Sequence, residues 1–286
     1  MKTSRTSRTS RTSRARRLTL ASLAAASLAA GLAVGPSPAH AADTLNWKID
    51  ANTLRVVDQQ ERNITHGDEL YVVSVSFRST PGKVGSTSTS VVGDMGKMND
   101  LYTGDTRAIG DSKGKVTFNN VTRRGFTDIL GGNNPEIIGS MTFVFEDDFT
   151  TDNAIRNILD DVAAETKTQL AGVIEPLTLA DLLDTEALGD KLTDAVTAIT
   201  DEVTPGVFGK IKLFLGSIGD PDDLISQKVN VFVAVDDSLA TVVDQKLGAV
   251  VTPATGVAGA LRNRGYTQRF SGDDATYDVT YNVAPN

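Results

Sequence analysis

Cysteine is absent from all 286 residues. That absence excludes disulfides, thiol nucleophiles, thiolate zinc centres and lipid attachment through an N-terminal cysteine. Histidine occurs only at His40 and His66, and the leader described below removes the first. Two-histidine metal motifs are then out of reach, and a serine triad would have to use His66, in the loop Asn63-Ile64-Thr65-His66-Gly67-Asp68. Aromatic residues make up 6% of the chain and Trp47 is the single tryptophan, a poor supply for a sugar-stacking groove. No apolar run approaches the roughly 18 residues that a membrane-spanning helix requires. The phosphate-cradling spacing G-x-x-x-x-G-K-[ST] is missing.

Residues 1–41 read as a cleaved signal peptide. Thr-Ser-Arg is repeated four times from Thr3 to Arg14, Arg16-Arg17 follows, and no acidic residue precedes Asp43. A small-residue apolar run, Leu18 to Val34, ends at Pro36 and Pro38, and Ala39-His40-Ala41 is a small-x-small cleavage site. The arginine pair also fits the twin-arginine export route, although Thr19 stands where such signals carry a bulky apolar residue. The expected destination is extracellular, with no membrane anchor left after cleavage.

Removing the leader changes the charge. Seven of the 28 lysines and arginines lie in it and none of the 36 acidic residues does, so the mature 245 residues carry a net charge of −15. Nucleic acid and anionic membrane surfaces are poor partners for such a chain.

The pattern of the mature chain is mainly β. Apolar alternation or apolar runs mark strands at Leu45–Val57, Glu69–Phe77, Lys115–Val121, Ile137–Glu146, Gln227–Val235, Tyr266–Phe270 and Tyr277–Val283. Val84–Gly93 reads as an edge strand. Asp94–Gly114 and Thr252–Gly259 read as loops, and Ala240–Val251 fits either a helix or a strand. One region has helical period. Ile155, Ile158, Leu159 and Val162 form an apolar stripe behind Asp152, and Thr178 with Asp181 resembles a capping box. Val207 to Ile218 is a third helical candidate, and Pro176 and Pro205 sit at the joints. The expected fold is an antiparallel β-sandwich-like domain, residues 42–286, with a helical insertion of about 70 residues at 149–222.

Carboxylates are the remaining chemical resource. Asp147-Asp148 and Asp236-Asp237 each follow an apolar strand, and Asp222 precedes one. With the strands as parallel neighbours, Asp147, Asp148, Asp236 and Asp237 gather at one sheet edge, and Asp222 is a further candidate metal ligand. Calcium takes six to eight hard oxygen ligands of this kind. The competing reading makes the same residues turns and helix caps.

The reading favoured is a secreted, non-catalytic protein that binds an extracellular protein or cell-surface ligand, with calcium as a candidate cofactor. Two alternatives stand beside it: a hydrolase using paired carboxylates, and a membrane-active protein acting through its amphipathic helices. The leader carries its own prediction: N-terminal sequencing of protein recovered from the medium should begin at Ala42 or Asp43.

Overall fold

The computed structural model describes residues 44–59, 67–92, 97–146, 152–177, 185–218, 224–248, 251, 255–272 and 275–286. The leader, its cleavage site and His66 lie outside them. Residues Ala42–Asn286 form one compact unit.

The chain is mostly β. Five strands come first: β1 (Thr44–Asp58), β2 (Asp68–Ser79), β3 (Ser88–Val92), β4 (Met98–Leu101) and β5 (Thr106–Ala108). A short helical turn α1 (Asp111–Gly114) leads to β6 (Lys115–Thr122), and α2 (Phe126–Leu130) leads to β7 (Ile137–Glu146). Helices α3 (Asp152–Ile174), α4 (Thr185–Ala198) and α5 (Thr204–Ile218) stand between β7 and β8 (Leu224–Val233). Helix α6 (Asp237–Gly248) then precedes β9 (Gly256–Ala260), β10 (Arg264–Gly272) and β11 (Ala275–Pro285). No described helix is long and apolar enough to cross a membrane.

The strands form two sheets. The first has the order β10-β11-β1-β5, with β6 also on β1; the second has the order β3-β2-β7-β8-β9, with β4 also on β2. Every pairing between them is antiparallel except β8 with β9, which run parallel. The exception has a cause in the chain. Helix α6 carries it from the end of β8 back to the start of β9, as a parallel neighbour requires.

Strand β7 is buried at all ten positions. Alternate side chains point to opposite faces of a strand, so each of its faces needs its own cover. Ile138 and Val144 share a cluster with Leu70 and Val72 of β2, Phe232 of β8, and Trp47, Ile49, Leu54, Phe270, Tyr277 and Val279 of the first sheet. Met141, Phe143 and Phe145 share another with Tyr71, Val73, Val75, Phe77, Val229 and Val231. The helices join this second cluster through Ile158, Leu159, Val162, Leu170, Val196, Ile199, Val207 and Ile211. Each large apolar side chain so buried contributes about 1.5–3 kcal/mol.

The end of α3 is tied to the turn between β2 and β3. Glu175 accepts hydrogen bonds from Thr87 Oγ1 at 2.7 Å, Gly85 N at 2.8 Å and Thr87 N at 2.9 Å. These donors, the Thr87 hydroxyl first, hold the Glu175 carboxyl below the ordinary glutamate range.

Several expectations need correction. The stretch expected to be a loop at Thr252–Gly259 contains the start of β9, whose Gly and Ala residues carry little β-propensity; pairing with β8 makes it a strand. The Asp94–Gly114 loop holds β4, β5 and α1, each of three or four residues and too short to show a period. Ala240–Val251 is helical as far as Gly248, with Ala240, Val243 and Leu247 buried. Pro205 does sit at a joint: it lies in the first turn of α5, just after a π-helical turn at Ile199–Val203. The capping box at Thr178 and Asp181 lies outside the described residues.

Gly139 has no room for a side chain. An added Cβ would stand 2.2 Å from both Asn230 O and the Phe77 ring. Gly139→Ala should therefore destabilise the protein by about 1–3 kcal/mol or more, read as a lowered urea midpoint with an unchanged slope.

Candidate functional site

The paired carboxylates fall as follows. Strands β7 and β8 are neighbours, but antiparallel: Ile137 lies opposite Val233 and Phe145 opposite Leu224. Glu146 and Asp236 therefore stand at opposite ends of a pairing about 30 Å long, at roughly 3.3 Å per residue. The expected gathering of all the pairs at one edge required parallel neighbours and does not follow from this topology. Asp147, Asp148 and Asp222 themselves lie outside the described residues. Among the described residues, no group of three or more His, Asp or Glu side chains is placed to hold a metal.

Asp236 and Asp237 have local work. Asp236 precedes α6; its Oδ1 accepts from Ser238 N at 3.0 Å and from the Ser238 hydroxyl, and its backbone O accepts from Ala240 N at 3.0 Å. This is an N-cap. Its backbone N donates to Arg124 O at 3.0 Å, which fixes the end of β8 against the segment before α2. Asp237 is exposed and accepts from Arg123 Nη1 at 3.0 Å, a surface pair of small energetic weight.

The opposite end of the sheets is acidic and buried. Asp68, which opens β2, is 1% exposed, and Glu146, which closes β7, is 3% exposed. The Tyr277 hydroxyl donates to Asp68 Oδ2. Burial first, then the Asp68 hydrogen bond and the charges of Asp68, Glu146 and Asp58, push the Tyr277 phenol far above its ordinary value. The sequence reading missed Asp68, Glu146 and Tyr277. Asp68 and Glu146 stand at strand termini in the sequence, but nothing in either stretch tells that Tyr277 lies beside them.

A polar band crosses the space between the sheets. Ser74 and Thr142 share a hydroxyl hydrogen bond at 2.9 Å, and Asn230 Nδ2 donates to Ser140 Oγ at 3.2 Å. Tyr266 OH donates to Asn230 Oδ1 at 2.9 Å, and its ring stacks on Tyr281 at 5.1 Å. Burial raises both phenols, and it lowers the Lys228 ammonium. Gln268 of β10, 3% exposed, has no hydrogen-bond partner for either atom of its amide. Gln268 also lines a cavity of about 300 Å³ with Gly248, Val251, Gly256, Ala258 and Thr267. A second hollow of about 430 Å³ lies between α3 and α5, where Lys210 Nζ pairs with Glu165 Oε2 at 2.7 Å.

One motif was overlooked in the sequence. Gly110-Asp111-Ser112-Lys113-Gly114 spells G-x-S-x-G, the nucleophile-elbow spacing. Its setting differs from an elbow: Ser112 is exposed in the four-residue turn α1, and no histidine is among the described residues. Gly114 has a structural reason, because a Cβ there would meet Ala51 O at 2.1 Å.

No family model, curated protein or solved structure matches this chain.

Tyr277 provides a test of the acidic end. Tyr277→Phe removes a donor from a buried carboxylate and should cost about 1–3 kcal/mol at pH 7. A phenol whose pKa is raised by folding contributes stability that is complete below its unfolded value, near 10, and is lost as pH rises beyond it. Wild type should therefore lose stability more steeply above pH 10 than Tyr277→Phe; equal slopes would show that Tyr277 ionises as freely in the folded state.

Proposed function

We propose that the protein is secreted and non-catalytic, and that it binds a protein or cell-surface partner. The architecture in this reading is a β-sandwich whose second sheet is covered by an inserted helical unit, 149–222. The leader sequence supports secretion. The observation that carries binding is the cavity between β9 and β10, where the buried amide of Gln268 has neither donor nor acceptor partner. A buried amide left unsatisfied costs free energy, and a ligand that completes its bonds recovers that cost. Calcium belongs to the same proposal, narrowed to the end of the sheets where Asp147 and Asp148 follow buried Glu146 in the chain.

The test uses fluorescently labelled mature protein. Saturable binding to the surface of the secreting cells is expected, stronger in millimolar calcium than in sodium chloride of equal ionic strength. Calcium should also raise the melting temperature. Turnover on a panel of polysaccharides and phosphoesters would overturn the non-catalytic reading. A calcium effect matched by sodium chloride would reduce the metal part to charge screening.

A further inference from the structure

The hydrogen-bond pattern of β9 defines what the Gln268 cavity is built to take. Val229 N donates to Thr255 O at 3.1 Å, and Leu261 N donates to Val233 O at 2.8 Å. In a parallel ladder these two bonds fix the phase: the odd residues from Thr255 to Leu261 face β8. The even residues Gly256, Ala258 and Ala260 then present their N–H and C=O groups to the far side. The second sheet ends at β9, so no described strand meets them there.

Ala260 is closed off. Its N–H donates to Asp244 Oδ1 at 2.8 Å, and its carbonyl accepts from Arg264 Nη2. Arg264 is itself held by Asp244 at 3.0 Å. Gly256 and Ala258 have no such partner among the described residues, and both line the cavity. Gln268 lines it from the first sheet, with its own donor and acceptor unpartnered. A capped edge at Ala260 and unpaired main-chain groups at half-buried Ala258 and buried Gly256, where the cavity reaches them, make a strand-length site with a defined end.

We propose that this edge binds an extended polypeptide segment of a partner, which adds to the second sheet as a further strand alongside β9. The segment's main chain pairs with the N–H and C=O groups of Gly256 and Ala258, and one of its amides pairs with Gln268. Alternating main-chain donors and acceptors at a sheet edge match an extended peptide and no other common ligand so directly. The small residues Gly248 and Ala258 leave its backbone room to approach. The Asp244–Arg264 closure at Ala260 stops it from pairing along the whole strand, so the bound stretch is short. The proposal rests on the partner-binding reading and names the chemistry of the partner.

The experiment selects a phage-displayed library of linear peptides on the mature protein. Enriched peptides are then synthesised and titrated against wild type, Ala258→Pro and Gln268→Leu. Ala258→Pro deletes an outward N–H and leaves the β8 ladder alone. Gln268→Leu removes the unsatisfied amide. Both variants should bind at least tenfold more weakly, and Gln268→Leu should melt no lower than wild type, since it loses no bond in the free protein. Peptides N-methylated at alternate residues should fail in one phase and bind in the other, which tests the main-chain pairing even where a variant folds poorly. No enriched peptide, equal binding to both variants, or indifference to N-methylation in either phase overturns the proposal. Saturable cell binding that both variants retain would overturn strand addition while the partner-binding reading stands. Peptide binding by a wild type that ignores cells would do the reverse.

Discussion

The structure depends on the double burial of β7. A strand with no solvent face cannot be stabilised by one partner layer, because every second side chain would remain in water. One face of the strand carries Ser140, Thr142 and Glu146 beside Ile138 and Val144, yet all ten positions are buried, and Ser140 and Thr142 find hydrogen-bond partners under cover. The first sheet covers one side and the helices the other. Gly139 belongs to the same requirement. Phe77 lies across the place where its side chain would be, so the closest approach in the strand occurs at its one residue without a Cβ.

The space between the sheets is not uniformly oily. Ser74, Ser140, Thr142, Asn230 and Tyr266 are joined in hydroxyl and amide pairs along one band. A one-residue slip of any strand would place apolar groups against these polar ones. The band therefore fixes register where a purely apolar interface would tolerate slippage. Gln268 is its unfinished member, and the acidic group around Tyr277 is its counterpart at one end. Both are polar groups under cover, and they differ in whether the protein itself completes their bonds.

Long alternating or apolar stretches made much of the β content legible. Ile137–Glu146 was readable to the residue, because Ile, Met, Phe and Val fill six of its ten positions between turn signals. Asp152 as the start of a helix was readable for a similar reason: a capping side chain followed by an apolar stripe at 3.6-residue period. What escaped was set by tertiary context. Strand β9 is glycine and alanine apart from Val257, and its pairing with β8 makes it a strand. The direction of β8 relative to β7 is not written in either strand, and that direction decides which acidic pairs share an end. Asp236 looked like half of a metal site, yet its spacing to Ser238 suits a helix cap equally well. Asp68 and Glu146 escaped because an acidic residue at a strand end looks the same whether water or a tyrosine lies beyond it.

The pairing of β1 with β11 sets a timetable. Trp47 lies opposite Pro285 and Val56 opposite Tyr277, so the first strand of the chain is completed by the last. Loop closure over more than two hundred residues costs roughly 5 kcal/mol beyond a constant, and contacts of such sequence separation form slowly. A ribosome releases β1 long before β11 exists. Until β10 and β11 are made, Trp47, Ile49 and Leu54 have only the β5 and β6 edge of their sheet to enter. The β11 side of β1 therefore stays uncovered while the intervening two hundred residues are made, and the first sheet is completed late.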